Sequence, residues 1–226
     1  GGVRVERSTI SQSGDATMEK TFSFIKPRLL ATWTPWADNQ FRVRFEREVG
    51  QLNFYDFAAS AQLQNDIVSG GNTNLSPEQR WVSELIYERR FWGDGVIGIT
   101  LRHDEISDAI DVIPLPGGLS AVGNIGDGTL DRLAVNFQAP LDRFGFSGGR
   151  ISAVNTWNSS QVTDPATGKA RPISELRRSN ATIALSQDIK SWNLQWNFAW
   201  SPLIGETNYD PNLRFSWRGH DYIEAW

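Results

Sequence analysis

Residues 192–200, W-N-L-Q-W-N-F-A-W, constrain the fold more than any other stretch. Trp192, Leu194, Trp196, Phe198 and Trp200 fall on one side of an extended strand, and Asn193, Gln195, Asn197 and Ala199 on the other. Successive strand side chains point to opposite faces, so this period of two predicts one greasy face and one wet face. A soluble sheet satisfies it by burying the greasy face. A membrane barrel satisfies it by turning that face to lipid and the wet face to the lumen.

The same alternation recurs along the chain. Strands are expected near 3–9, 24–34, 41–49, 79–89, 96–105, 133–138, 149–158, 181–185, 192–200 and 213–217, with 221–226 continuing the last. Long polar connections are expected at 11–23, 50–78, 106–129, 159–176 and 202–211, and short ones at 35–40, 90–95, 140–148 and 190–191. They alternate. In an up-and-down antiparallel sheet all the long connections then emerge at one end, as in outer-membrane barrels with long external loops and short periplasmic turns. The expected fold class is all-β: an antiparallel transmembrane β-barrel or a section of one. Residues 1–226 read as a partial outer-membrane β-barrel domain of about ten strands.

Composition narrows the alternatives. The 226 residues carry a net charge of -4, which argues against nucleic acid as a partner. No run of about 18 apolar residues predicts a transmembrane helix. There is no cysteine, hence no thiol chemistry, disulfide framework or Cys-ligated metal. The opening G-G-V-R-V-E-R has no signal-peptide pattern and enters strand pattern directly, which suggests a fragment.

The barrel reading sorts the side chains. Trp33, Trp36, Phe91, Trp92, Phe144 and Trp192, with Phe41 and Phe146, gather near the short turns as an interfacial girdle against outer-membrane lipid. Arg42, Arg44, Glu46, Arg80, Glu84, Glu88, Arg102 and Arg132 fall on the opposite side, facing the lumen. There they line a ligand path or form a hydrated ion-pair network that holds the wall. Phe54, Tyr55 and Phe57 lie in an external segment, as candidate ligand contacts or as pins for a long loop.

Residues 41–105 resemble the later barrel region of TonB-dependent outer-membrane receptors. The resemblance rests on F-R-V-R-F-E-R-E-V-G-Q-L-N-F-Y-D-F at 41–57, G-N-T-N-L-S-P-E-Q-R-W at 71–81, E-R-R-F-W-G-D-G at 88–95 and R-H-D-E-I-S-D at 102–108. Thr73 stands where the family's N-P-x-L-x-P-E-like segment commonly has proline; Asn72, Asn74, Leu75, Pro77 and Glu78 keep the rest. It extends more loosely through N-I-G-D-G-T at 124–129 to the C-terminus. The resemblance implies a wall section of a 22-stranded barrel with an N-terminal plug, a domain that residues 1–226 do not resemble and that the lumen-facing charges are then placed to contact. It also implies active uptake of a small scarce nutrient, such as a ferric siderophore, driven by contact with the TonB machinery. A diffusion porin and a soluble aromatic-rich carbohydrate-binding β module are the alternatives.

Other clusters read blandly. His103, Asp104, Glu105, Asp108 and Asp111 make a solvated acidic boundary rather than a cation site. His220 beside Asp221 is not a catalytic pair, and no catalytic, metal or cofactor-binding signature occurs, so neither an enzyme nor a cofactor is expected.

Overall fold

In the computed structural model the described residues are 1–12, 18–53, 56, 61–64, 67–70, 72–117, 119–202, 204–210, 214–217, 219 and 221–225. Ten strands form one continuous wall: β1 Gly2–Gln12, β2 Met18–Trp36, β3 Asn39–Val49, β4 Gln79–Phe91, β5 Gly95–Ser107, β6 Gly128–Pro140, β7 Gly149–Thr163, β8 Ser179–Ile189, β9 Leu194–Pro202 and β10 Asp221–Ala225. Each pairs antiparallel with its sequence neighbour, so the wall is an up-and-down meander with β1 and β10 at its ends. Among the described residues no ladder joins those two ends.

Register fixes the faces. Ala31, Val43, Leu85, Leu101, Leu133 and Trp157 lie directly opposite one another across β2 to β7. One residue along, Leu30, Arg44, Glu84, Arg102, Arg132 and Asn158 form the matching row on the other face. A slip of one residue in any ladder would exchange the two rows, so the alternation itself specifies the pairing. The apolar face is uncovered: Trp33 is 64%, Leu101 50% and Phe198 44% exposed. A soluble module would bury such a surface, whereas a barrel wall presents it to lipid.

The packed residues lie on the polar side, where the long connections return. Ile106, Ala109, Leu130 and Val162 form a buried cluster that Ile125, Ile173 and Leu176 pack against. Short strands lie within these connections. Ala61–Gln64, Ile67–Gly70, Leu119–Asn124 and Ile110–Leu115 make a four-stranded sheet, Ala170–Arg171 pairs back on β7, and Thr207–Tyr209 pairs with Arg214–Ser216.

Three expectations are corrected. Residues 11–23 are not a long loop: the β1–β2 ladder continues to Gln12 opposite Met18, leaving only 13–17 between the strands. The side chains there are polar because the 19-residue β2 outruns the 9–11 residues that span a bilayer. Backbone bonds carry the ladder, with Thr9 and Thr21 hydroxyls 2.9 Å apart across it. Residues 214–216 belong to a small external hairpin, and the tenth wall strand is Asp221–Ala225. Trp192 sits in a tight Lys190–Trp192 turn instead of the strand. Asn193 takes φ 48, a left-handed conformation that Asn tolerates, and β9 starts at Leu194.

Candidate functional site

The polar face of β2 to β5 carries a lattice of ion pairs. Arg28 meets Glu46 at 3.1 Å. Arg44 reaches Glu46 at 3.4 Å, Glu48 at 3.1 Å and Glu84 at 3.2 Å. Arg102 spans Glu48 at 3.3 Å and Asp104 at 2.7 Å, and Arg80 joins Asp104 at 3.3 Å to Glu78 at 2.6 Å. Arg42 and Arg90 share Glu88 in a separate group. Seven of the eight residues singled out from sequence are thus brought into these two groups. The eighth, Arg132, donates from Nε to Asn158 Oδ1 at 2.9 Å. A shallow depression of about 630 Å³ also crosses β3 to β7, but its lining is chiefly the apolar-face row, with Val43, Phe45, Leu85, Leu101, Leu133 and Trp157, so it does not belong to the charged lattice.

Asp104 is the lattice's buried member, fully excluded from solvent. It accepts from Nε and Nη2 of Arg102 at 2.7 and 2.9 Å and from Nη1 of Arg80. This corrects the expectation of a solvated acidic boundary. Arg102, two residues away on the same strand, and Arg80, on the adjacent strand, supply the compensation that lets a carboxylate lose its water. Nor is Asp111 simply solvated: it pairs with Arg171 at 2.9 Å, both side chains 6% exposed. Among the described residues no group of three or more His, Asp or Glu side chains is arranged to hold a metal ion.

At the loop end, side chains missed by the sequence reading tie the connections together. Asn124 accepts from Ser76 N–H at 2.8 Å and donates to Ser76 O at 2.9 Å and Asp108 O at 2.8 Å. Leu75 and Pro77 are buried beside this clamp. Glu78 accepts from Ile110 N–H at 3.3 Å while pairing with Arg80, so the 72–78 segment acts as a loop-to-strand junction. Lys20 Nζ donates to the Asn74 and Leu75 carbonyls, each at 2.9 Å, from the projecting β1–β2 hairpin.

Arg171 is similarly enclosed, between Asp111 and Asp164 and 4.6 Å from the Tyr209 ring centre. Burial pushes the Asp164 carboxyl up, but hydrogen bonds from the Thr167 hydroxyl and N–H and from Arg171 outweigh it and hold it below its ordinary value. The sequence marks the Asp164 turn through D-P-A-T-G-K. Nothing local marks the pairing of Asn124 with Ser76 or of Arg171 with Asp111, whose members lie 48 and 60 residues apart.

Aromatics line the short-turn end of the apolar face. Trp33 packs on Phe41 at 5.5 Å, Phe41 on Tyr87 at 4.8 Å, and Phe91 on Phe137 at 6.0 Å. Trp92 touches Phe91 and Phe144, with the Arg143 guanidinium 5.5 Å from its ring. Trp36 and Trp192 stand 66% and 73% exposed at the same end. The Gln187 amide, on the apolar face, is satisfied by Trp196 Nε1–H at 3.1 Å and the Ser147 carbonyl at 2.9 Å.

The opposite rim of the apolar face is polar. His103 pairs with Asp131 at 2.7 Å, and Arg47 lies 5.7 Å from the Trp81 ring centre. About eight residues separate Asn39 from Arg47 and Gly95 from His103, or roughly 27 Å of strand. A tilt of about 40° reduces this to about 20 Å, near the ~25 Å apolar band of a barrel. Phe54, Tyr55 and Phe57 lie outside the described residues, as does His220.

No family model and no curated protein matches the chain. Solved structures do. A variant of the ferric enterobactin receptor PfeA from Pseudomonas aeruginosa aligns over 92% of this chain and 33% of its own, with 16% identity and a TM-score of 0.66. The FrpB iron transporter from Neisseria meningitidis aligns over 99% and 33%, with 12% identity and a TM-score of 0.67. The copper transporter OprC aligns over 99% and 36%, with 8% identity and a TM-score of 0.75. The chain spans about a third of the length of these proteins. Its meander, its uncovered apolar face and these alignments agree: the chain has the fold of a section of the transmembrane β-barrel of TonB-dependent outer-membrane receptors.

Proposed function

We propose that residues 1–226 are part of the barrel wall of a TonB-dependent receptor in the bacterial outer membrane. The whole protein, in this reading, actively imports a scarce small nutrient such as a ferric siderophore. The observation that carries it is one ten-stranded meander whose apolar face is uncovered while its other face is lined with compensated charge. The matched structures are described as a ferric enterobactin receptor, an iron transporter and a copper transporter, which supports transport of a metal nutrient over catalysis. The plug domain and the contact with the TonB machinery belong, in this reading, to the rest of the protein.

Arg42, Arg44, Glu46, Arg80, Glu84, Glu88, Arg102 and Arg132 are assigned to the lumen, against plug or solute. Trp33, Trp36, Phe91, Trp92, Phe144 and Trp192 are assigned to the periplasmic headgroup level, where an indole places its ring in the apolar layer and its N–H in water. Phe54, Tyr55 and Phe57 are assigned to external ligand contact. The test is uptake of radiolabelled iron–siderophore complexes by iron-starved cells with the gene intact, deleted, or intact in a strain without TonB. Uptake lost in both altered strains supports the reading. Uptake that persists without TonB but is lost with the gene favours a passive pore and overturns active import.

A further inference from the structure

The polar face of the wall is divided. Across β2 to β5 it is crowded with long charged side chains, each acid paired: Glu46 at 3.1 Å, Glu48 at 3.1 Å, Glu84 at 3.2 Å and Asp104 at 2.7 Å from an arginine. Across β6 to β9 the chemistry changes. Gln138, Ser152, Ala184 and Ala199 form one row, and Asn136, Val154 and Thr182 another. On these four strands, all described, no ionisable side chain faces this side between Arg132 at the loop end and Arg150 and Asp188 at the turn end. The uncharged polar groups there engage one another lightly, as where the Thr182 and Ser201 hydroxyls meet at 2.8 Å.

The two sectors suit different neighbours. A lattice whose charges are already paired can be dehydrated beneath folded protein without leaving an unpaired charge, which is the costly outcome. A sector of mostly Ala, Ser, Thr and Asn, with Gln138 and Val154, has shorter side chains than the arginine lattice and offers hydrogen bonds without fixed charge. Passage requires binding weak enough to release, and such a surface holds a hydrated solute only weakly. We propose that the solute path runs along the uncharged sector of β6 to β9. The charged sector of β2 to β5 is the part of the wall covered by the protein that fills the barrel. The assignment rests on the barrel-receptor reading given above.

The chain has no cysteine, so an introduced thiol is unique within it. Single variants Ser152→Cys and Thr182→Cys probe the uncharged sector, and Thr32→Cys and Ile86→Cys probe polar-face positions within the charged one. Leu85→Cys and Leu133→Cys probe the apolar face. Each is made in the full-length natural protein and exposed, in intact cells, to a small membrane-impermeant maleimide. Surface amount and heat-modifiable mobility confirm folding, and two positions per sector guard against a single misfolded variant. Ser152→Cys and Thr182→Cys are expected to react about tenfold faster than Thr32→Cys and Ile86→Cys, the factor matching about 1.4 kcal/mol to uncover the protected sector. Equal, reversed or absent reaction at the two polar sectors, with Leu85→Cys and Leu133→Cys silent, overturns this assignment and leaves the barrel reading standing. Reaction at Leu85→Cys and Leu133→Cys as fast as at the polar positions overturns the barrel reading itself, and the assignment with it.

Discussion

Replacing Asp104 by Asn perturbs the lattice where it is most enclosed. The side chain is fully buried and accepts three hydrogen bonds from two guanidinium groups. Asn keeps the shape but turns an N–H₂ toward one of the cations. Removing one partner of a buried ion pair costs about 3–5 kcal/mol when the remaining charge has nowhere to go. Here both arginines retain a second carboxylate, Glu48 for Arg102 at 3.3 Å and Glu78 for Arg80 at 2.6 Å. Their side chains are also 15% and 29% exposed, so water screens part of the loss. The expected cost is therefore about 2–3 kcal/mol. The control is Asp131→Asn, whose partner His103 is 46% exposed and whose own side chain is 64% exposed; about 0–1 kcal/mol is expected there. Urea unfolding of the full-length protein in lipid vesicles, followed by Trp fluorescence, measures both. Equal losses for the two variants would refute the view that Asp104 is a buried counterion rather than one more surface acid.

Two further outcomes follow from the loop end. Asn124→Ala strands the N–H and carbonyl of Ser76 and the carbonyl of Asp108, and should cost about 2–3 kcal/mol; amide hydrogen exchange should rise together in 72–78 and 108–111. The Asp164 turn should be pH-sensitive in one direction only. Its folded carboxyl lies below its ordinary value, so its stabilising contribution is complete above the unfolded value of about 3.9 and is lost as pH falls through the lower folded value. The Thr167 amide shift should report that loss, and Asp164→Asn should abolish the transition.

The alternation at 96–102 and 194–200 was enough to read the wall from sequence, because a half-buried strand leaves a period of two wherever lipid and water face each other across it. That signal stops where the wall leaves the bilayer. At Thr9 and Thr21 both faces meet water, so a ladder held by backbone bonds looks like a polar loop. The strand expected at 213–217 is the complementary error: Phe215 pairs with Asn208 in a local hairpin outside the wall. The charged face was legible as a face, since Arg42, Arg44, Glu84 and Arg102 fall on one parity. The identity of each counterion was not, because it depends on which strands adjoin. Asp104 reads as one more solvated acid until Arg80 and Arg102 are placed around it, and nothing near Arg171 in sequence announces Asp111.

The central claim is that one face of this wall meets lipid and the other water. Nitroxide labels placed singly at residues 181 to 186 of β8, in the full-length protein in vesicles, test it most directly. The account predicts collision with dissolved oxygen greatest at Ala181, Ile183 and Leu185, and collision with a water-soluble nickel chelate greatest at Thr182, Ala184 and Ser186. Oxygen and nickel profiles lacking the two-residue alternation, or alternating with the opposite phase, would contradict it.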